Sequence, residues 1–253
     1  MSKFKEIYAY REMIVSLVRK DLGSVLGFLW TFINPLLQLL VYTLVFSVII
    51  RMGIEKYYLF LFVALIPWIF FSASVTSGSS CIISQKDLVK KIYFPREVLP
   101  ISHVTTCFVN MLLSFIVIFL VIALSGIGVN LNAVLYLPII MIVEYILALG
   151  MAMIFSALTV YLRDLEYILG IVIMAWQFLT PIMYSIENVP ENIMPVFMAN
   201  PMTPIVIAYR DILYYKKVPQ IGTLLHAFIL GAIILIVGLI IFNQLQKHFA
   251  EEL

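Results

Sequence analysis

The residues of this chain best equipped for chemistry are few and scattered. Asp164 and Glu166, with Arg163 beside them, are a pair of the type that binds Mg²⁺ in membrane glycosyl and phosphosugar transferases. Such enzymes need a larger cluster of carboxylates on a cytoplasmic face, so this short stretch makes a poor active site. None of the three histidines, His103, His226 and His248, has a second one at ligand spacing, and no metal site is expected. No Gly-Lys pair occurs, hence no G-x-x-x-x-G-K-[ST] phosphate loop, and the chain is not expected to hydrolyse ATP by itself. Cys81 and Cys107 read as buried free thiols. Glu144 interrupts a long apolar run, where an ionised carboxylate costs about 2.5–3.5 kcal/mol. It is therefore neutral or paired. It serves either proton or ion coupling, or a hydrogen bond to a neighbouring helix. The remaining charged feature is LVKKIYFPREVLP, residues 88–100, where Lys90, Lys91, Arg96 and Glu97 crowd around Phe94-Pro95.

The elements that carry these residues are set by solvent. Hydrophobic residues make up 63% of the 253 residues and charged ones 12%, too little charge to cover a water-facing surface. Residues 25–50 carry no charge, and a bilayer core of ~30 Å needs only ~20 apolar residues in a helix. The same reading along the chain, with SGIGVNLN (125–132) splitting one overlong run, gives six spans near 27–50, 58–82, 101–125, 134–160, 167–185 and 221–243. The fold class expected is an all-α integral membrane protein, with residues 25–253 as its spanning domain. Asn34-Pro35, Pro67 and Thr180-Pro181 lie within spans, where each proline frees a carbonyl that must face protein or a cavity.

With six spans both termini share one side. That side holds Lys3, Lys5, Arg11, Arg19, Lys20, Lys86, Lys90, Lys91, Arg96, Arg163 and Lys247, against Arg51, Lys56, Arg210, Lys216 and Lys217 on the other. The bias places both termini and the 85–99 loop in the cytoplasm, with no cleavable signal peptide. At ~100° per residue Phe4, Ile7, Ile14, Val15, Val18 and Leu22 share one helix face opposite Lys5, Glu12, Ser16 and Lys20, so residues 1–24 read as an amphipathic interfacial helix. Arg11 is misplaced on the apolar face, and either snorkels to lipid phosphates or pairs with a carboxylate. The external segment 186–219 contains Pro190, Pro195, Pro201, Pro204 and Pro219, which exclude one continuous helix. Its apolar pieces are too short to span and too greasy for a free loop, so short re-entrant helices are expected between spans 5 and 6. Tyr184, Tyr209, Tyr214 and Tyr215 form an aromatic belt or a ligand surface there.

Five fragments carry a resemblance: SVLGFLWTFINPLLQLLVY (24–42), KKIYFPREVLP (90–100), YLRDLEYI (161–168), WQFLTPIMYS (176–185) and ANPMTPIVIAYRDIL (199–213). In that order the chain resembles the permease subunits of type 2 ABC polysaccharide exporters, which export O-antigen, teichoic acid, capsule or rhamnan. It departs in one place, lacking a basic stretch between the amphipathic helix and SVLG. The resemblance implies a homodimer in the bacterial inner membrane, working with two ATP-binding cassette subunits that bind ATP and Mg²⁺. No cofactor is expected in this chain, and no nucleic acid. The cargo implied is a lipid-linked polysaccharide.

It also implies that 85–99 is a coupling loop seated in an ATPase cleft. Lys90, Lys91, Phe94, Pro95, Arg96 and Glu97 would be the coupling residues, with Leu88, Ile92 and Leu99 packing into the cleft and Pro95 setting the angle of the third span. Arg163 and Asp164 would belong to a second cytoplasmic loop. Trp30, Trp68, Phe70, Phe71, Trp176 and Tyr184 would be the channel aromatics that stack on sugar rings. A type 2 exporter of small drugs or lipids shares this topology. An ion-coupled carrier would instead use Glu144, and usually shows an internal repeat, which is not found between the two halves.

Overall fold

The computed structural model describes residues 3–23, 25–51 and 53–252, without the side chains of residues 3, 4, 6, 25–29 and 250. Phe4, expected on the apolar face of the first helix, thus lies outside the described side chains. The described chain is all-α. Helices α1 (Lys3–Ala9) and α2 (Arg11–Leu22) precede α3 (Val25–Thr43), which continues as a π-helical turn over Leu44–Ile49. Then follow α4 (Tyr57–Ser79), α5 (Cys81–Ser84), α6 (Lys86–Lys91), α7 (Val98–Ser125), α8 (Leu131–Val134) and α9 (Leu137–Tyr161). The chain ends with α10 (Leu165–Phe178), α11 (Met194–Ala199), α12 (Met202–Leu213), α13 (Ile221–Leu245) and α14 (Phe249–Glu252).

Among the described residues five segments are long and apolar enough to cross a membrane: Trp30–Ile49, Tyr57–Ser79, Val98–Ser125, Leu131–Tyr161 and Ile221–His248. The segment read as a span over 167–185 is different. Its helix, α10, has 14 residues, and the chain runs on through turns from Leu179 to Ser185. At 1.5 Å per residue α10 reaches ~21 Å, short of the ~30 Å hydrocarbon core. Pro181 explains the break, since it lacks the N–H that would bond to Gln177 and disfavours helical geometry at Thr180.

Helix α4 is the hub. It is apolar on every side, and α3, α7, α9, α10 and α12 pack around it, burying most of its length. Helices α9 and α13 make the closest pair. A Cβ on Gly238 would lie 2.5 Å from the carbonyl oxygen of Gly150, and one on Gly150 would lie 2.6 Å from the backbone nitrogen of Leu235. Both glycines are there because two backbones touch, the use small residues have in lipid, where apolar contact alone drives no association. Gly238→Ala is therefore expected to push α13 off α9 and destabilise by about 1–3 kcal/mol. Gly231→Ala, whose methyl would meet Leu147 at 3.5 Å, should stay within about 0.5 kcal/mol of the parent. Thermal unfolding midpoints in detergent separate the two, and equal midpoints would contradict the close-contact argument.

The loops that follow α7 and α12 and the segment before α4 are tied to one another. Lys56 Nζ donates to the Ser125 carbonyl at 2.9 Å, Lys216 Nζ to Ile127 at 2.8 Å, and Asn130 Nδ2 to Lys216 at 2.9 Å. The interfacial element is two helices with a break at Tyr10, and α2 packs on α7. Tyr10, Met13, Ile14 and Leu17 face a core cluster that includes Phe94, Phe242 and Phe249, while Val15 is exposed. Arg11 is exposed and its guanidinium carbon lies 4.9 Å from the centre of the Tyr8 ring, a cation–π contact.

Candidate functional site

The 85–97 segment is stiff because it is bonded to the far end of the chain. After α6 the backbone turns extended at Ile92, and Tyr93 and Phe94 then point opposite ways. Phe94 goes inward, 5% exposed, in a cluster with Cys81, Val98, Leu99, Met153, Phe242 and Phe249. Arg96 Nη1 donates to the Gln246 carbonyl at 2.6 Å, and Gln246 Nε2 donates to Glu97 Oε1 and Asn243 Oδ1, both at 2.9 Å. These bonds fasten the loop to the end of α13. What faces outward is Ile92, Tyr93, Lys90 and Lys91, with Tyr93 87% exposed. Beside it lies a cavity of about 310 Å³ lined by residues 93–97 and the end of α13.

The roles expected of this loop are accordingly redistributed. Leu99 is buried in its own protein and cannot enter a partner's cleft, Leu88 is half-buried, and Arg96 is turned onto Gln246 rather than toward a partner's rim. Pro95, half-buried, leads into the first turn of α7. Tyr93 was not singled out from sequence. The signal was available in Tyr93-Phe94-Pro95, because two aromatic neighbours on an extended segment cannot both be buried against one floor. In the second cytoplasmic loop Arg163 and Asp164 are exposed, with Leu162 and Tyr167 exposed on either side. Among the described residues no three His, Cys, Asp or Glu side chains gather to hold a metal ion.

The six aromatic candidates divide. Trp68, Phe70 and Phe71 are almost wholly buried, packed as Trp68–Phe71 and Phe70–Phe108 pairs with centroids 5.6 Å apart. Trp176 meets Phe71 edge-on at 5.4 Å and donates its indole N–H to Asn200 Oδ1 at 2.9 Å. Tyr184 is half-exposed and donates to the Phe178 carbonyl at 2.7 Å. Trp30 alone is fully at the surface. The buried placement follows from α4 being covered on all sides, which an apolar run shows by having no polar face.

The broken end of α10 shows why the chain tolerates irregular backbone here. Every carbonyl from Phe178 to Tyr184 finds a donor. Tyr184 Oη serves Phe178, Asn200 Nδ2 serves Leu179 at 3.1 Å, and the Ile182 N–H serves Thr180 at 2.7 Å. Arg210 on α12 takes three more, Pro181 and Ile182 at 2.5 Å and Tyr184 at 3.1 Å, while Tyr57 Oη donates to Met183 at 2.8 Å. Arg210 is 3% exposed and its guanidinium carbon lies 3.6 Å from the Phe60 ring centre. The neighbouring Tyr209 donates to Glu144 Oε2 at 2.7 Å; Glu144 Oε1 has no partner among the described residues. Tyr209-Arg210 thus pins α12 to α9 on one side and caps α10 on the other. Arg210 had counted only as an external positive charge, yet a cation following the apolar run Pro204–Ala208 in a membrane chain is itself a sign of buried carbonyls to satisfy.

The family model for "ABC-2 type transporter" matches residues 17–214, which include α4, the 85–97 segment, the capped end of α10 and α12. The chain belongs to the ABC-2 type transporter family. Among its relatives, the "O-antigen export system permease protein RfbA" of Myxococcus xanthus is 35% identical over 256 residues, covering 98% of each chain. Two proteins of the same description from Klebsiella pneumoniae are 34% and 33% identical, each covering 96% of this chain and 95% of the relative. As an ABC-2 family chain it is a multi-pass membrane permease, and the cap on α10 and the fastened 85–97 segment are parts of a transporter's membrane subunit.

Proposed function

We propose that this permease exports a lipid-linked cell-surface polysaccharide across the bacterial inner membrane, as a homodimer driven by two ATP-binding subunits. Both termini are cytoplasmic, and ATP and Mg²⁺ are bound by the partner. The observation that carries this reading is the 85–97 segment. A membrane chain without a phosphate loop receives force through a surface, and here a few exposed side chains stand on a loop bonded to α13 and continuous with α7. The cargo is argued from the relatives, which are named for O-antigen export and match over nearly the whole chain length.

The mechanism follows from which helices are locked together. Pushing on Tyr93 moves α7 and, through Arg96–Gln246, α13, which is held against α9 by the Gly150–Gly238 contact. Helices α3 and α10 are joined near their ends, where Gln177 Nε2 donates to Tyr42 Oη at 3.4 Å, and keep large apolar faces exposed at Leu36, Leu37, Leu40, Ile171 and Met174. We assign that face to the second copy, so that closure of the ATPase pair parts the two copies along it. Trp30, Trp176 and Tyr184 are the aromatics placed to meet the glycan.

The test is export in a host deleted for its own permease, supplied with this chain and its ATP-binding subunit. Surface polysaccharide should return only when both are present. Glu144→Gln keeps an acceptor for Tyr209 and removes the titratable proton, so it should export within about twofold of the parent at matched protein level. Loss of export in the Gln variant would favour a proton-coupled carrier.

A further inference from the structure

We infer that each protomer carries its own binding groove for an uncharged sugar unit between α3, α4 and α7, apart from the surface shared by two copies. This rests on the polysaccharide-export reading. The groove is a cavity of about 140 Å³ whose walls include Trp30, Thr31, Asn34, Phe70, Asn110 and Ser114. It shares Asn110 and Cys107 with a second cavity of about 360 Å³ that leads past Thr106, His103 and Ser102 to Gln85 and Asp21 at the cytoplasmic end. On α7 the polar lining recurs every fourth residue, Ser102, Thr106, Asn110 and Ser114, so one stripe of the helix faces the groove along its length.

The hydrogen-bond inventory leaves donors free for an occupant. Ser102, Thr106 and Ser114 satisfy their hydroxyls by donating to carbonyls of their own helix. The asparagines do not. Asn110 Oδ1 accepts from Thr31 Oγ1 at 3.5 Å, while Asn110 Nδ2 and the Asn34 amide have no hydrogen-bond partner among the described residues. At membrane depth an unmatched amide costs several kcal/mol, so a hydroxyl-bearing partner belongs there. The chemistry selects its class. No lysine or arginine lines either cavity, and Asp21 stands at the mouth, so a phosphate is disfavoured. Amides and hydroxyls facing an indole and a phenyl edge match a sugar ring, which offers hydroxyls around its rim and C–H groups on its face. The contacts are few and neutral, so a sugar held there is readily released.

The experiment introduces the photocrosslinker p-benzoylphenylalanine at exposed Asn34 in the full permease–ATPase complex, in cells making the glycan. Ile233, exposed on α13, is the control position. We expect an adduct that reacts with glycan antibody from position 34 and none from 233. In parallel, Asn34→Leu/Asn110→Leu should lower export about tenfold or more at matched protein level, as expected for losing two or more hydrogen bonds. If position 34 yields no glycan adduct although the parent complex exports normally, the groove holds water or lipid and the inference is overturned. If the parent complex restores no export, the function reading fails instead. The crosslink does not depend on how the double Leu variant folds.

Discussion

Arg210→Leu is expected to remove the permease from the membrane altogether. The substitution strips donors from the carbonyls of Pro181, Ile182 and Tyr184 at once, in a segment where water is not at hand to replace them. Each buried carbonyl left bare costs about 1–3 kcal/mol, so three together approach the ~5–15 kcal/mol by which a whole protein is stable. The order of effects tests the cause. Arg210→Lys keeps the charge but offers one compact ammonium to a site that a planar fork now spans, and should fold with reduced stability. Tyr57→Phe uncovers only Met183 and should cost least. Membrane abundance and a monodisperse peak in mild detergent read this ranking. A native level of Arg210→Leu would mean that something other than Arg210 holds the end of α10.

The second large effect is functional rather than structural. Ile92→Ala/Tyr93→Ala removes the most exposed apolar surface of the 85–97 segment without touching the bonds beneath it. An aromatic anchor at the centre of a protein–protein contact is typically worth about 2–4 kcal/mol, a thirtyfold or greater loss of affinity. The variant should reach native levels, lose most of its export, and bring down little ATP-binding subunit when purified by a tag. Phe94→Ala should behave differently, emptying a core position at about 3–5 kcal/mol and lowering the amount of protein itself. Full export and undiminished co-purification with the Ile92/Tyr93 variant would place the force-bearing contact elsewhere, with the Arg163-Asp164 loop next to be tried.

The candidate site was legible in part. LVKKIYFPREVLP stands out because charge and proline between two apolar runs need a reason. Its division into inward Phe94, Arg96 and Glu97 and outward Ile92 and Tyr93 was not legible, since it depends on Gln246, about 150 residues away along the chain. The channel aromatics show the same limit. A tryptophan in an apolar span reads alike whether it faces lipid, a cavity or a neighbouring helix, and only packing put Trp30 on the surface and Trp68 in the core.

Composition and periodicity were enough to determine that this chain is helical and lives in lipid, because in hydrocarbon a lone segment must satisfy its own backbone, and uncharged runs of more than about twenty residues have no other outcome. The turns at Gly126 and Gly128 were local too, being properties of residues that take positive φ, whereas Pro181, expected inside a span, follows the end of α10 while Pro35 and Pro67 lie within continuous helices. Tertiary structure decided the rest: that the segment after α10 stays irregular yet stable because Arg210 reaches it from α12, that Glu144 is paired through Tyr209, and that Gly150 and Gly238 meet. Each of these joins groups far apart in sequence. In a membrane, where one apolar surface is as good as another, such polar and close-contact pairings are what choose a single arrangement among many.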